Sequence, residues 1–196
     1  MERKIREDSI YSQECIIDAF LMLLSENNLQ DISVTEICKK AGVARITFYK
    51  YYKTINDVLK ATVDFKFNEF KEDLIKAKLG GDIKKVLELS ITSIVPLRKP
   101  LKSLSRSNMS GILLQYFTNA LATLLPIIET DVELKKIKYL FLSGGVFNIL
   151  SDWVSSGMKD TPKKLAEQIY VTMLEYGIIN KFGFKKWLKP PNLAYI

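Results

Sequence analysis

Arg45, Ile46, Thr47 and Lys50 combine chemistries that make sense together on a surface meeting another molecule. A guanidinium grips guanine O6 and N7, an aliphatic side chain meets a thymine methyl, a hydroxyl reaches a base or a phosphate, and an ammonium takes a phosphate or a guanine. On a helix at about 100° per residue, Ile46, Thr47 and Lys50 share one side and Arg45 projects from the first turn, while Phe48 and Tyr52, four residues apart, share the opposite side. The surrounding stretch Lys39 to Lys53 holds five basic residues, four aromatics and no acid. With Phe48 and Tyr52 assigned to a core, Tyr49 and Tyr51 are left to offer hydroxyls to a phosphate backbone. An exposed isoleucine is common, but Ile46 in the middle of a basic face asks for a partner such as a base edge in a duplex groove.

The elements that must hold these side chains are legible from capping and turn signals. A first helix is predicted from about Arg6 to Asn27, with Ile16, Ile17, Phe20, Leu21, Leu23 and Leu24 on its apolar side and Asn28 as a left-handed terminator. Ser33-Val34-Thr35-Glu36 has the spacing of a capping box, which opens a short second helix. Gly42 ends that helix, a third short helix runs through Tyr52, and Thr54-Ile55-Asn56-Asp57 caps a long fourth helix that ends at Gly80-Gly81. Two short helices across a tight glycine turn form a helix-turn-helix. The two helix N-termini, at Ser33 and Thr54, flank the third helix and suit anions through their free amides. Ser33, Thr35, Tyr49, Lys53 and Thr54 are therefore the expected phosphate-positioning set.

Composition narrows the rest. The chain has 196 residues, 47% hydrophobic and 26% charged, which is ordinary for a globular fold. Its net charge of +7 is uneven: residues 1–60 carry nine Lys/Arg against nine Asp/Glu, and the remainder carries the excess. Local clusters, not the total, must then identify any nucleic-acid surface. Further basic clusters, at Arg98 to Arg106 and Lys181 to Lys189, read as solvated faces. There is no histidine and only two cysteines, Cys15 and Cys38, so a histidine base, a Cys-His pair and a Cys/His zinc site are excluded. No catalytic residue, metal or cofactor is expected, and the chain is not read as an enzyme. The thiols imply a reducing cytoplasm. The longest apolar run, Tyr139 to Leu150, is short of the roughly 20 residues a bilayer span needs, so no membrane association is expected.

The fold class expected is all-α, with a helix-turn-helix domain over 1–53 and a helical regulatory domain over 54–196. Helices are predicted from Asp82 to Ser105, interrupted by Pro96 and Pro100, then from Asn108 to Leu125, Asp131 to Ser156 and Pro162 to Phe182, the last opened by Thr161 with proline at its first position. The segment SVTEICKKAGVARITFYKYYKTINDVL resembles the DNA-binding motif of the tetracycline-repressor (TetR) family. The shared signs are an Ile-Asp-Ala stretch in helix one, Ser-Val before helix two, Ala-Gly-Val in the turn, Thr-Phe-Tyr in the recognition helix and an aromatic three residues later. Residues 144–170 also resemble that family's regulatory domains of the Firmicutes type. The resemblance implies a homodimeric repressor, bound to a double-stranded operator and released by a small-molecule effector in an antiparallel helical bundle. Three residues depart from the motif: Ala44 where a capping serine is common, Ile46 where a small residue is usual, and Ile55 in place of a lysine.

Two further sets follow for the C-terminal domain. Met109, Leu113, Tyr116 and Phe117, with Tyr139, Phe147, Asn148, Asp152 and Trp153, are expected to line a cavity with a few polar groups in an apolar wall. The last predicted helix is apolar over more than half its circumference. With the helix before it, it is expected to form a two-fold four-helix interface, in which Leu165, Ile169, Met173 and Tyr176 meet a second copy. Gly144-Gly145 inside a helix is expected to mark a close approach or a bend. Control by a protein partner in place of a small molecule is the alternative, with Arg98 to Arg106 or the tail as the docking surface.

Overall fold

The computed structural model describes residues 2–79, 82–105, 107, 110–124 and 132–176, and among these it is all helical. The helices are α1 (Glu2–Glu26), α2 (Val34–Ala41), α3 (Arg45–Tyr51), α4 (Ile55–Ala77), α5 (Ile83–Ile94), α6 (Arg98–Ser105), α7 (Ser110–Leu124), α8 (Val132–Ser155) and α9 (Pro162–Glu175). They group into two compact units, Met1–Asn68 with Leu97–Leu113, and Glu69–Pro96 with Leu114–Ile196. The cap signature at Thr54 opens α4 as predicted, but the first unit continues beyond residue 53 to Asn68 and also takes in α6.

The first unit is built around the apolar sides of its short helices. Ile16, Phe20 and Leu24 from α1, Ile37 from α2, Phe48 from α3 and Val58 and Leu59 from α4 form one buried cluster, which Leu104 of α6 joins. Each such side chain removed from water contributes about 1.5–3 kcal/mol, so this cluster is what holds α3 in place. α6 packs on α1. Its Ser103 hydroxyl donates to the Asn27 carbonyl at 2.8 Å, meeting one of the carbonyls left open at the end of α1.

Local chemistry explains most helix ends. Ser33 and Glu36 form the reciprocal capping box that starts α2. Gly42, at φ +68°, closes α2 in the left-handed region, and its amide reaches back to the Cys38 and Lys39 carbonyls. Thr161 caps α9 through the Lys164 amide, with Pro162 in the first turn. Asn28 departs from expectation: it is extended (φ −75°, ψ 152°), and its side-chain amide donates to Asp31 at 3.0 Å. A 3-10 turn over Leu29–Asp31 makes the reversal that a left-handed residue would have made. A second such turn over Val95–Leu97, at Pro96, separates α5 from α6.

In the second unit α9 packs on α5, with Leu165, Ala166, Ile169 and Met173 buried on α9 and Ile83, Leu87 and Ile91 buried on α5. Lys84 and Glu167 pair across the two helices. Thr118 of α7 and the buried Ser143 of α8 bring their hydroxyls to 2.9 Å. The Trp153 indole donates to the Asp160 carbonyl at 2.9 Å, tying the end of α8 to the turn before α9. α8 runs without interruption through Gly144 and Gly145, so the pair marks no break.

Candidate nucleic-acid interface

α3 is only seven residues long, so its own hydrogen bonds cannot stabilise it and packing must. Phe48 is fully buried and Tyr52 nearly so, at 5% exposed, and their rings lie 5.8 Å apart. This aromatic underside fixes which side of α3 faces outward. Arg45, Ile46, Tyr49 and Lys50 are exposed and Thr47 is half-buried. Ile46 is 82% exposed, the most open of the large hydrophobic residues described. The structure thus brings Arg45, Ile46, Thr47 and Lys50 onto one solvent-facing surface, with Ile46, Thr47, Tyr49 and Lys50 lining one shallow depression.

Two of the basic side chains lean on aromatic rings of their own helix. The Arg45 guanidinium sits 5.9 Å from the centre of the Tyr49 ring and donates to its hydroxyl at 3.5 Å. The Lys50 ammonium lies 5.2 Å from the Tyr51 ring. The guanidinium's hydrogen bond to the Tyr49 hydroxyl raises the Arg45 pKa further above its already basic value. Sequence reasoning gave Tyr49 and Tyr51 hydroxyls to phosphates and missed this pairing, although the i,i+4 spacing of Arg45 and Tyr49 carries the signal. Tyr51 is also engaged on its other side, since a hydrogen bond from the Ser9 side chain on α1 lowers its pKa.

Ser33, Thr35, Lys53 and Thr54, the residues expected to position phosphates, are all exposed. Their amides are not equally free. The Ser33 amide donates to Glu36 at 2.9 Å, and the Glu36 amide donates to the Ser33 hydroxyl at 3.2 Å. Asp57 does the same at α4: its carboxylate accepts from the Thr54 amide at 2.8 Å and the Lys53 amide at 3.1 Å, and its own amide donates to the Thr54 hydroxyl at 3.2 Å. The side-chain bond from Ser33 holds the Glu36 carboxyl below its usual range, and the Thr54 amide does so for Asp57. A capping box satisfies the N-cap and N3 amides and leaves the first two helical amides of α2 and α4 without a partner in their own helix. Ala44 makes no side-chain cap on α3, and its carbonyl alone accepts from the Thr47 and Phe48 amides.

The two sets expected in the C-terminal domain are redistributed. Leu113, Tyr116, Phe117, Tyr139 and Phe147 are half-buried, and the Phe117 and Phe147 rings lie 6.1 Å apart. Met109 lies outside the described residues. Asn148 and Asp152 share a face as their spacing requires, but that face is exposed, because the buried side of α8 is taken by Leu142, Ser143, Val146, Leu150, Trp153 and Val154. Trp153 is buried, and its indole donates to the Asp160 carbonyl in the turn before α9. On α9 the correction runs the other way. Leu165, Ile169 and Met173 are buried within the chain, on the helix that packs against α5, and of the four residues expected at an interface only Tyr176, 74% exposed, stays open.

With this geometry in view, comparison with known proteins is informative. Residues 16–62 match the profile described as bacterial regulatory proteins, tetR family, and residues 97–175 match a transcriptional regulator C-terminal region. A Bacillus subtilis (strain 168) protein named uncharacterized HTH-type transcriptional regulator YvdT is 36% identical over 69 residues, 35% of each chain. The fatty acid metabolism regulator protein of the same organism is 25% identical over 151 residues, covering 74% of this chain and 66% of its own length. The match thus spans less than two thirds of either curated relative. Among solved structures, the dihydroxyacetone kinase operon activator DhaS superposes with a TM-score of 0.64 at 20% identity, covering 85% of this chain and 96% of that one. A regulator from Streptococcus agalactiae 2603V gives 0.63 at 22% identity, covering 88% and 98%. The fatty acid degradation regulator FadR from Bacillus halodurans gives 0.57 at 19%, covering 83% and 94%.

Proposed function

Because the chain belongs to the tetR family of bacterial regulatory proteins and is a DNA-binding transcriptional regulator, we propose that it works as a homodimeric repressor that leaves a palindromic operator when a small molecule enters its C-terminal helices. The observation that carries the reading head is Ile46, open to solvent among Arg45, Thr47 and Lys50 on a helix pinned from below by Phe48 and Tyr52. In a major groove Arg45 takes a guanine edge, Ile46 a thymine methyl, and Thr47 and Lys50 the neighbouring base or phosphate. Ser33, Thr35, Tyr49, Lys53 and Thr54 set register on the backbone, with the first two helical amides of α2 and α4 as donors.

A dimer presents two such heads to successive major grooves about 34–36 Å apart, so the operator is an inverted repeat. The exposed apolar residues of α8 support a partner chain. The half-buried aromatics Tyr116, Phe117, Tyr139 and Phe147 support an apolar effector site. Release then follows from differential affinity: the effector binds more tightly to an arrangement that holds the heads at the wrong separation, with a coupling of about 1–3 kcal/mol.

Relatives differ in sign. One structural neighbour is named an operon activator and another a repressor of an efflux pump, so activation from the same operator is the second reading. Selection from a library of random duplexes with the purified protein tests the core of the proposal. Enrichment of an inverted repeat supports it, and a selected pool without repeat symmetry refutes the dimeric head. Transcription from a promoter carrying the selected site, with and without the protein, then decides between repression and activation.

A further inference from the structure

Arg45 opens α3 with an exposed side chain, so a duplex would meet a guanidinium free to sample many rotamers unless something holds it. α3 reads RITFYKY and has no carboxylate of its own to pair with that charge. The structure supplies a different support, built from the core outward. Phe48 is fully buried, and the Tyr49 ring stands on it edge to face, with centroids 5.4 Å apart and planes 84° to one another. Aromatic pairs favour this arrangement. The Arg45 guanidinium in turn lies 5.9 Å from the centre of the Tyr49 ring and donates to its hydroxyl at 3.5 Å. Long side chains on a helix lean toward its N-terminus, which carries Tyr49 back over the turn that Arg45 begins.

We infer that Tyr49 is a positioning residue for base recognition: its ring and hydroxyl hold the Arg45 guanidinium ready for a guanine edge. This rests on the reading of Arg45 as a base contact given above. The chemistry of the holder matters. A carboxylate in its place would compensate the charge of Arg45 and occupy its bidentate fork. A phenol is neutral, takes one N–H donor of the guanidinium, and leaves the others for guanine O6 and N7. Its own O–H is still a donor, so the same hydroxyl joins the base contact to a phosphate oxygen. Holding the rotamer before binding removes an ordering cost that the complex would otherwise bear. At 3.5 Å the hydrogen bond is a long one, and the ring contact shares the task. Because this support acts through Arg45, it sharpens discrimination at one base pair, whereas a phosphate contact strengthens all duplexes alike.

Anisotropy titrations of the full chain with the selected operator and its single-base variants test the role. They compare the parent, Arg45→Ala, Tyr49→Phe, Tyr49→Ala and the double variant of Arg45→Ala with Tyr49→Phe, with circular dichroism to follow the fold. Phenylalanine keeps the ring on Phe48 and removes only the hydroxyl of a half-exposed residue, so helical content should not change. Arg45→Ala identifies the base pair that Arg45 reads. Tyr49→Phe should lower the preference at that same pair by about two- to tenfold, the scale of one hydrogen bond, and leave preference at every other pair as it was. In the Arg45→Ala background the same change should move no base preference. Tyr49→Ala, which also removes the ring, should relax that pair further than Tyr49→Phe does. Equal weakening of every duplex by Tyr49→Phe, additive with Arg45→Ala, makes Tyr49 a phosphate contact alone and overturns the positioning role. A loss of preference at a different pair overturns it as well. If Arg45→Ala itself relaxes no pair, the base-reading role of Arg45 falls, and the positioning role with it.

Discussion

Tyr52→Phe takes a single oxygen from the buried underside of the recognition helix, and the structure sets both the sign and the size of the effect. Tyr52 is 5% exposed, and its hydroxyl is buried without a hydrogen-bond partner. Such an orphan costs about 1–3 kcal/mol, because the bond to water is lost on folding and nothing replaces it. The ring itself stays useful, packed 5.8 Å from Phe48 and 6.4 Å from Tyr51, and phenylalanine keeps that shape. The variant should therefore be more stable, with a thermal midpoint about 2–4 °C higher for each kcal/mol in a chain of this size. Burial also raises the Tyr52 phenol above its ordinary 10.0. The unfolded chain then ionises first, so the parent loses stability as pH climbs above the unfolded value, and phenylalanine at 52 abolishes that loss. Urea denaturation at neutral pH and again above pH ~10 reads both effects, and the advantage of the variant should widen in alkali. Operator affinity should not change, because no atom of the exposed face is touched. A variant that melts below the parent, or a gap that ignores pH, would mean that the hydroxyl is bonded and the packing argument for α3 is wrong.

Other expectations are simpler. Ala44→Ser supplies the missing N-cap of α3 in a backbone already extended at φ −71° and ψ 150°, and should raise stability by about 0.5–2 kcal/mol in thermal denaturation. Gly42→Ala forces a side chain into φ +68° and should destabilise by at least about 1 kcal/mol, lowering the urea midpoint. Arg45→Ala should weaken operator binding by about ten- to a hundredfold and relax preference at one base pair, whereas Lys53→Ala should weaken all duplexes alike; anisotropy titrations on a panel of single-base variants separate the two. The Glu36 and Asp57 carboxyls titrate below their usual range, so their caps contribute above the unfolded carboxyl pKa and that contribution fades as pH falls through the folded value. Asp57→Asn should accordingly flatten the acid limb of the stability profile measured by circular dichroism.

The first unit was largely legible because its signals are local. Ser33 and Glu36, Gly42, and Thr54 and Asp57 each act within four residues, and the i,i+4 pair Phe48 and Tyr52 fixes the face of α3 once a core exists to receive it. Asn28 was misread because asparagine serves both left-handed ends and caps of 3-10 turns, and only the path toward Ile32 decides between them. The α8 and α9 assignments erred for a different reason. Both helices are apolar over a wide arc, and a wide arc does not say which part meets the chain itself. α5 claims Leu165, Ile169 and Met173, which the sequence offered to a partner, while Asn148 and Asp152, offered to a cavity, stand on the open side of α8. Long-range pairing of helices decides such questions, and periodicity along one helix carries no record of it.

The central claim is that α3 reads a duplex through its exposed basic face while flanking residues hold the phosphates. Its most direct test is the salt dependence of binding to a selected operator beside a shuffled duplex of equal length. If about six to ten phosphates are neutralised per dimer, log affinity should fall against log salt with a slope near −5 to −9. The operator should keep its advantage over the shuffled duplex across the series, and Arg45→Ala should erase part of it. A response flat in salt, or equal affinity for both duplexes at every concentration, would contradict the claim.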